Sequence, residues 1–232
     1  MNKGVSAQNG KGVTTAFAPT KPAEIRGAAI KGNKHQEKSQ AMRGKLLKSA
    51  RHIFARNGFE AARIEDIAND AGHTRGAFYA HFQSKEELFF ALLEQQASVH
   101  IDELKSRLES ESDPIQQLAK LRDYYASRVA DGAWSILVLE FKLYAFRHPR
   151  LRARLASVHR RIKESIHVEG FERLLPASPK LGSQVTLAKR LALEAVLHGL
   201  ALERAYDPRA ISKEEAEGAL RTTFDALLKT NQ

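Results

Sequence analysis

The stretch Ile64–Phe90, IEDIANDAGHTRGAFYAHFQSKEELFF, decides how this 232-residue chain is read. Ile64, Ile67, Ala68 and Ala71 recur at i, i+3, i+4 and i+7, the apolar stripe of a short helix. Gly72 ends that helix, because the residue past a last turn often takes a left-handed conformation that glycine adopts cheaply. Thr74 offers a hydroxyl N-cap to a second helix. In it, Phe78 and Phe82 lie four apart and anchor one side to a core, leaving Arg75, Gly76, Tyr79 and His81 on other faces. Gly76 is a poor helix former, about 1 kcal/mol worse than Ala, which suits a place where something approaches the backbone closely. Ser84-x-x-Glu87 is a capping box for a third helix. Lys85 stands in its first turn, where the helix dipole disfavours a cation by a few tenths of a kcal/mol; a nearby phosphate offsets that.

Two short helices joined by a tight glycine turn, with Thr, Arg, Tyr, His and Lys facing outward, present side chains suited to phosphates and base edges. An ordinary helical hairpin shares the stripes. It does not share the ordered series Ile-Ala, Ala-Gly, Thr-x-Gly-x-Phe-Tyr-x-His-Phe and Ser-Lys-Glu-x-Leu-Phe. On that series, residues 43–93 resemble the DNA-binding domain of the TetR/AcrR family of bacterial transcriptional regulators. The resemblance implies a recognition helix over Thr74–Phe82, phosphate contacts by Thr74, Tyr79 and Lys85, and base-edge contacts from Arg75, Gly76 and Ala77. His81 matches a frequent histidine that lies close to the backbone. Two positions depart from the pattern. Ala62 and Arg63 replace the usual Thr or Ser cap of the first motif helix, and Arg63 joins the expected DNA contacts. His73 replaces an aliphatic turn residue and either packs in the turn or reaches toward DNA.

Composition agrees with a polyanionic partner: the formal charge is +10. Half of that excess, +5, lies in residues 1–42, a Gly/Ala/Lys-rich segment without apolar periodicity that reads as a disordered basic arm. Such an arm follows a groove or adds non-specific phosphate attraction; an inert leader ahead of Met42 explains it as well. Cysteine is absent, which excludes disulfides and Cys-ligated zinc and suits a reducing cytoplasm, the expected location. No apolar run approaches the roughly 18–20 residues that span a bilayer, so no membrane partner is expected, and the basic N-terminus has no apolar segment of a secretory signal.

The remaining pattern predicts an all-α protein of about nine helices, divided into a basic arm (1–42), a helix-turn-helix DNA-binding domain (43–95) and a C-terminal effector-binding and dimerisation domain (96–232). A first helix over about 43–57 carries Leu46, Leu47, Ala50, Ile53 and Phe54 on one face and ends at Asn57-Gly58. The helix opening at Ser84 continues to about Ser110. Later helices are expected at about 114–130, 133–147, 149–174, 182–206 and 213–229, the last opened by a second capping box, Ser212 and Glu215.

The helix over 133–147 is apolar nearly all the way round, the pattern of an element surrounded by neighbours. The resemblance makes Trp134, Glu140, Phe141 and Tyr144 candidate effector-pocket residues; the plain alternative is a core helix whose Glu140 reaches an arginine. Ala188, Ala192, Ala195 and Gly199 form a small-residue face, and Leu220 and Phe224 an apolar one. In the family, the last two helices form a dimer interface, and these six residues are the candidates. Intramolecular packing explains them nearly as well. The nine histidines complete no metal-ligand set, and neither a P-loop nor a GxSxG motif nor a paired-carboxylate site is present. No cofactor and no enzymatic activity are expected.

The expectation is therefore a homodimeric, sequence-specific regulator, a repressor released from a pseudo-palindromic double-stranded DNA operator by a small-molecule effector. Two rivals stay open: a DNA-organising protein of the same fold without an effector, and a helical enzyme or binding protein with a vestigial DNA module.

Overall fold

A computed structural model of the chain describes residues 23–165 and 182–228. The chain divides into two compact units, Met1–Met42 and Arg43–Gln232. In the first, helix α1 (Ala23–Ala61) begins at residue 23, so the expectation of a disordered arm through residue 42 is corrected; residues 1–22 lie outside the described residues. The segment is rich in Ala, Lys, Gln and Glu, all good helix formers. Lys34, Gln36, Glu37, Lys38 and Gln40 are all exposed. None of the described side chains between residues 34 and 42 is buried, so this part is helical by propensity, and periodicity could not reveal it.

Within the second unit, α1 is followed by α2 (Ile64–Asp70), α3 (Arg75–Tyr79), α4 (Lys85–Glu109), α5 (Pro114–Ser127), a 3-10 turn (Arg128–Ala130), α6 (Gly132–Phe146), α7 (Pro149–Ser165), α8 (Gly182–Tyr206) and α9 (Lys213–Leu228). The described residues contain nine α-helices and no strand. The expected stretch of α7 from 166 to 174 lies outside them. Local sequence signals set most of the ends. Asp113 caps α5 with Pro114 behind it, Ser84 Oγ accepts from Glu87 N, and Ser212 and Glu215 close a reciprocal box at 3.1 and 2.8 Å. Gly58 interrupts α1 with φ +76° and ψ 168°, a region essentially reserved to glycine.

Two cores run through this unit. The first joins Leu46, Leu47, Ile53 and Phe54 of α1, Ile67, Ala68, Phe78 and Phe82 of the motif, the Leu88–Leu93 half of α4, and Leu137, Phe141, Leu155 and Val158 of α6 and α7. Phe59 sits at its centre, edge-on to Phe89 and Phe141 at 5.3 and 4.8 Å. The second core gathers Leu104 and Leu108 of α4 with α5, α8 and α9. The division expected at 95/96 thus falls inside α4, which spans about 37 Å at 1.5 Å per residue and serves one core with each half. The cause is tertiary: α6 and α7, far off in sequence, complete the core beneath the motif.

His100 of α4 and His198 of α8 are half-buried. Burial, with Arg128 nearby, pushes His100 down to about 4, and burial, with Lys142 and Arg128 nearby, pushes His198 down to about 4. In the unfolded chain each takes a proton near 6.5. Between those values the unfolded state binds more protons, so stability falls as pH drops from about 6.5 to about 4. Thermal melts across that window are expected to show a falling midpoint, and a flat profile would contradict the burial of both rings.

Candidate nucleic-acid interface

Helix α2 ends in a Schellman turn. Gly72 has φ +75°, His73 N donates to Ala68 O at 2.8 Å, and Gly72 N donates to Asn69 O at 2.9 Å. The chain then swings into α3, where the Thr74 hydroxyl accepts from Ala77 N at 3.3 Å. Phe78 and Phe82 are buried, with Arg43 of α1 lying over the Phe82 ring at 5.2 Å. The burial of those two rings fixes which side of α3 faces out.

That outward side carries the residues the motif placed there. Thr74, Arg75 and Gly76 are exposed, and Tyr79 is 44% exposed. Ala77 and His81 are half-buried at its edge, and Arg63 is exposed at the start of α2, where no side chain caps the helix. A methyl group on Gly76 would meet only Thr74 Oγ1, at 3.8 Å. The chain itself therefore has no use for the gap beside Gly76. Arg75 is held ready: Nη1 pairs with Glu65 Oε1 at 2.5 Å and Nη2 donates to the Tyr79 hydroxyl at 3.3 Å, yet its side chain is 60% exposed. Both contacts hold the guanidinium in its charged form, Tyr79 most of all. Glu65 escaped the sequence reading because an acid in a first helical turn is explained by the dipole alone.

Two residues of the expected DNA-contact set are turned toward the chain's own atoms. Nε2 of His73 is buried in the turn with no hydrogen-bond partner among the described residues, so the ring points inward. Lys85 is half-buried. Its ammonium donates to Glu60 O at 2.8 Å and Ala62 O at 3.0 Å and lies 4.8 Å from the centre of the Phe59 ring. Burial lowers its pKa from the usual lysine value. Carbonyls at and just past the end of α1 thus offset the dipole penalty of α4 that a phosphate was expected to offset. Lys85→Ala is expected to lower unfolding free energy by about 1–3 kcal/mol, the range for hydrogen bonds to a charged group and the orphaning of their acceptors. The salt slope of DNA binding should stay as it is. A fully stable variant whose slope drops by about one would return Lys85 to phosphate.

The expected effector-pocket set is also divided. Trp134 and Phe141 are buried against Phe89, and the Tyr144 hydroxyl donates to Glu86 Oε1 at 3.2 Å, so these three bind α6 to the motif-bearing core. The backbone of α6 packs on α8 and α7, while its buried aromatic side chains join the core of the DNA-binding helices, a pairing invisible in local periodicity; Leu143 and Phe146 remain exposed. Glu140 alone lines a cleft, of about 550 Å³. Its Oε1 accepts from Phe59 N at 2.8 Å and Glu60 N at 3.5 Å, bridging α6 to the turn after Gly58. Among the expected interface residues, Ala188, Ala195 and Gly199 are exposed and Ala192 is half-buried, whereas Leu220 and Phe224 are buried in the second core and cannot face a partner. The stripe they belong to on α9 is an apolar face, as its pattern indicates; its cover is the same chain.

An α-helix, a glycine turn and an anchored second helix with exposed Thr, Arg, Gly and Tyr define a helix-turn-helix DNA-binding unit. Residues 46–92 match the family of bacterial regulatory proteins known as the tetR family. An uncharacterized HTH-type transcriptional regulator, YfiR of Bacillus subtilis, is 27% identical over 146 residues, 61% of this chain and 65% of that protein. The HTH-type transcriptional regulator TtgR of Pseudomonas putida is 39% identical over 88 residues, 37% of this chain and 41% of that one. The chain thus matches less than two thirds of the length of either relative. The crystal structure of the transcriptional regulator FadR from Bacillus subtilis, in complex with stearoyl-CoA, shares the fold with a TM-score of 0.57, 14% identity and coverage of 81% of this chain and 98% of that one. Residues 46–92 thus resemble, as a segment, the DNA-binding domain of the tetR family.

Proposed function

We propose that the chain is a cytoplasmic, homodimeric repressor that binds a pseudo-palindromic operator and leaves it when a small molecule binds its C-terminal helices. The observation that carries the DNA half is the outward face of α3, where Arg75 is pre-ordered by Glu65 and Tyr79 and Gly76 borders empty space. A bidentate arginine to guanine is the commonest specific major-groove contact, and the missing side chain at residue 76 admits a base edge or sugar against the backbone. Under this reading, residues 1–42 add charge along the duplex and residues 43–95 read it. Residues 96–232 pair the subunits and take the effector.

The support for a dimer is the exposed stripe Ala188, Leu191, Ala195, Gly199, Leu202 and Tyr206 on α8. Its small residues let a second helix approach, and its leucines supply apolar area to bury. A twofold dimer reads half-sites about one helical turn apart or a multiple of it. The effector reading draws on the FadR structure, whose ligand is stearoyl-CoA. For a ligand to release DNA it must prefer one conformation, since equal affinity for both shifts nothing.

Selection of bound sequences from a random duplex pool tests the proposal. The expected result is a palindrome with two equal half-sites, bound by two chains. Recovery of no consensus, with binding that depends only on salt, would favour a DNA-organising role instead. Gly76→Ala supplies an internal check: the helix has room for the methyl group, so thermal stability is expected to hold or rise slightly, while affinity for the selected site falls at least tenfold. Undiminished affinity would remove α3 from the interface.

A further inference from the structure

We infer that the cleft between α1, α6 and α8 is a binding site for an apolar monocarboxylate, a molecule with one carboxylate on a hydrophobic body. The inference rests on the regulator reading and gives its effector a place and a chemical class.

The cleft holds about 550 Å³ and has walls of Phe54, Ala133, Ile136, Leu137 and Ala205, with Glu140 and Arg204 as its charged residues. The walls are short or apolar, so they recognise shape and hydrophobic area, and polar specificity falls to the two charges. Those charges are not equally occupied. Glu140 Oε1 already accepts from two backbone amides. Arg204 makes one long hydrogen bond, from Nη1 to Val129 O at 3.4 Å, and forms no ion pair among the described residues. Its Nε is buried without a hydrogen-bond partner. The unmet requirement is for an acceptor beside Arg204, and a carboxylate accepts from a guanidinium in a two-pronged arrangement. The chain's overall charge of +10 also favours an anion.

The position of the cleft gives binding a consequence. Phe54 and Gly58 belong to the end of α1, immediately before the DNA-binding motif, while Arg204 and Ala205 belong to α8, whose other face carries the exposed stripe. One occupant therefore touches the support of the reading head and the helix offered to a second subunit. It fixes their separation, and operator affinity falls as the cleft fills.

The test is a titration of the full chain with 2-naphthoate, beside its neutral and cationic counterparts 2-naphthalenemethanol and 2-naphthylmethylammonium. Saturable binding of one naphthoate per chain is expected, at least tenfold tighter than either counterpart. Arg204→Gln should weaken it at least tenfold, and Ala205→Phe, a substitution at an exposed rim position, should abolish it without loss of thermal stability. Saturating naphthoate should lower affinity for the selected DNA site at least fivefold. Equal binding of the three probes, preference for the cation, or indifference to both substitutions would overturn the assignment. A chain that binds its DNA site normally yet ignores naphthoate removes only this inference. A chain that selects no DNA site removes the regulator reading and this inference with it.

Discussion

Arg75→Ala is expected to weaken binding to the selected site by roughly tenfold to a hundredfold, the size of one lost bidentate base contact, and to leave random-DNA affinity and thermal stability near those of the parent chain. The stability half follows from exposure: the Arg75–Glu65 pair is solvated, and such pairs contribute little to folding. The binding half follows from order. Glu65 and Tyr79 hold the guanidinium over the end of α3, so little rotamer freedom is left to lose when it meets a base. Equilibrium titrations on the selected and a scrambled duplex, at matched salt, separate the cases. Equal loss on both would place Arg75 on phosphate, and no loss on either would leave α3 without a reading residue.

Gly58→Ala should be the most damaging small substitution in the chain, lowering unfolding free energy by about 2–4 kcal/mol. Backbone in this φ/ψ region costs a non-glycine residue about 1–3 kcal/mol, and the added Cβ would stand 2.7 Å from Glu140 Oε1. Glu140 must then withdraw from Phe59 N and Glu60 N, losing a charge-assisted cap and the tie between α6 and α1. Adding Glu140→Ala to the variant removes the clash but not the backbone strain, so the two losses should combine less than additively. Chemical denaturation measures this directly. A Gly58→Ala chain within about 0.5 kcal/mol of the parent, the size of an ordinary surface substitution, would show that the close approach of Glu140 is not a feature of the folded state in solution.

The parts of this structure legible in the sequence are those decided within a few residues. Gly72 at a left-handed turn, Thr74 and Ser84 as caps, the Ser212–Glu215 box and the start of α5 at Pro114 each depend on neighbours along the chain, and each stands where the pattern places it. The residues that moved are those whose partners are distant. Lys85 reads as a phosphate ligand because nothing local satisfies it, and its partners are carbonyls 25 and 23 residues upstream. Glu140 meets an amide 81 residues away. Trp134 and Phe141, apolar in every direction by sequence, are roofed by Phe89. Leu220 and Phe224 show the same limit: a pattern reveals an apolar face and says nothing of whose atoms cover it. Residues 34–42 show the converse, a helix whose described side chains bury no apolar stripe.

The central claim is that α3 lies in the major groove with Arg75 toward the bases. Methylation interference measures it most directly, because dimethyl sulfate marks guanine N7 in the major groove. The account predicts that methylation at one or more guanines of each half-site blocks binding by the parent chain and no longer matters for Arg75→Ala at one of them. Binding indifferent to N7 methylation throughout the site would contradict it.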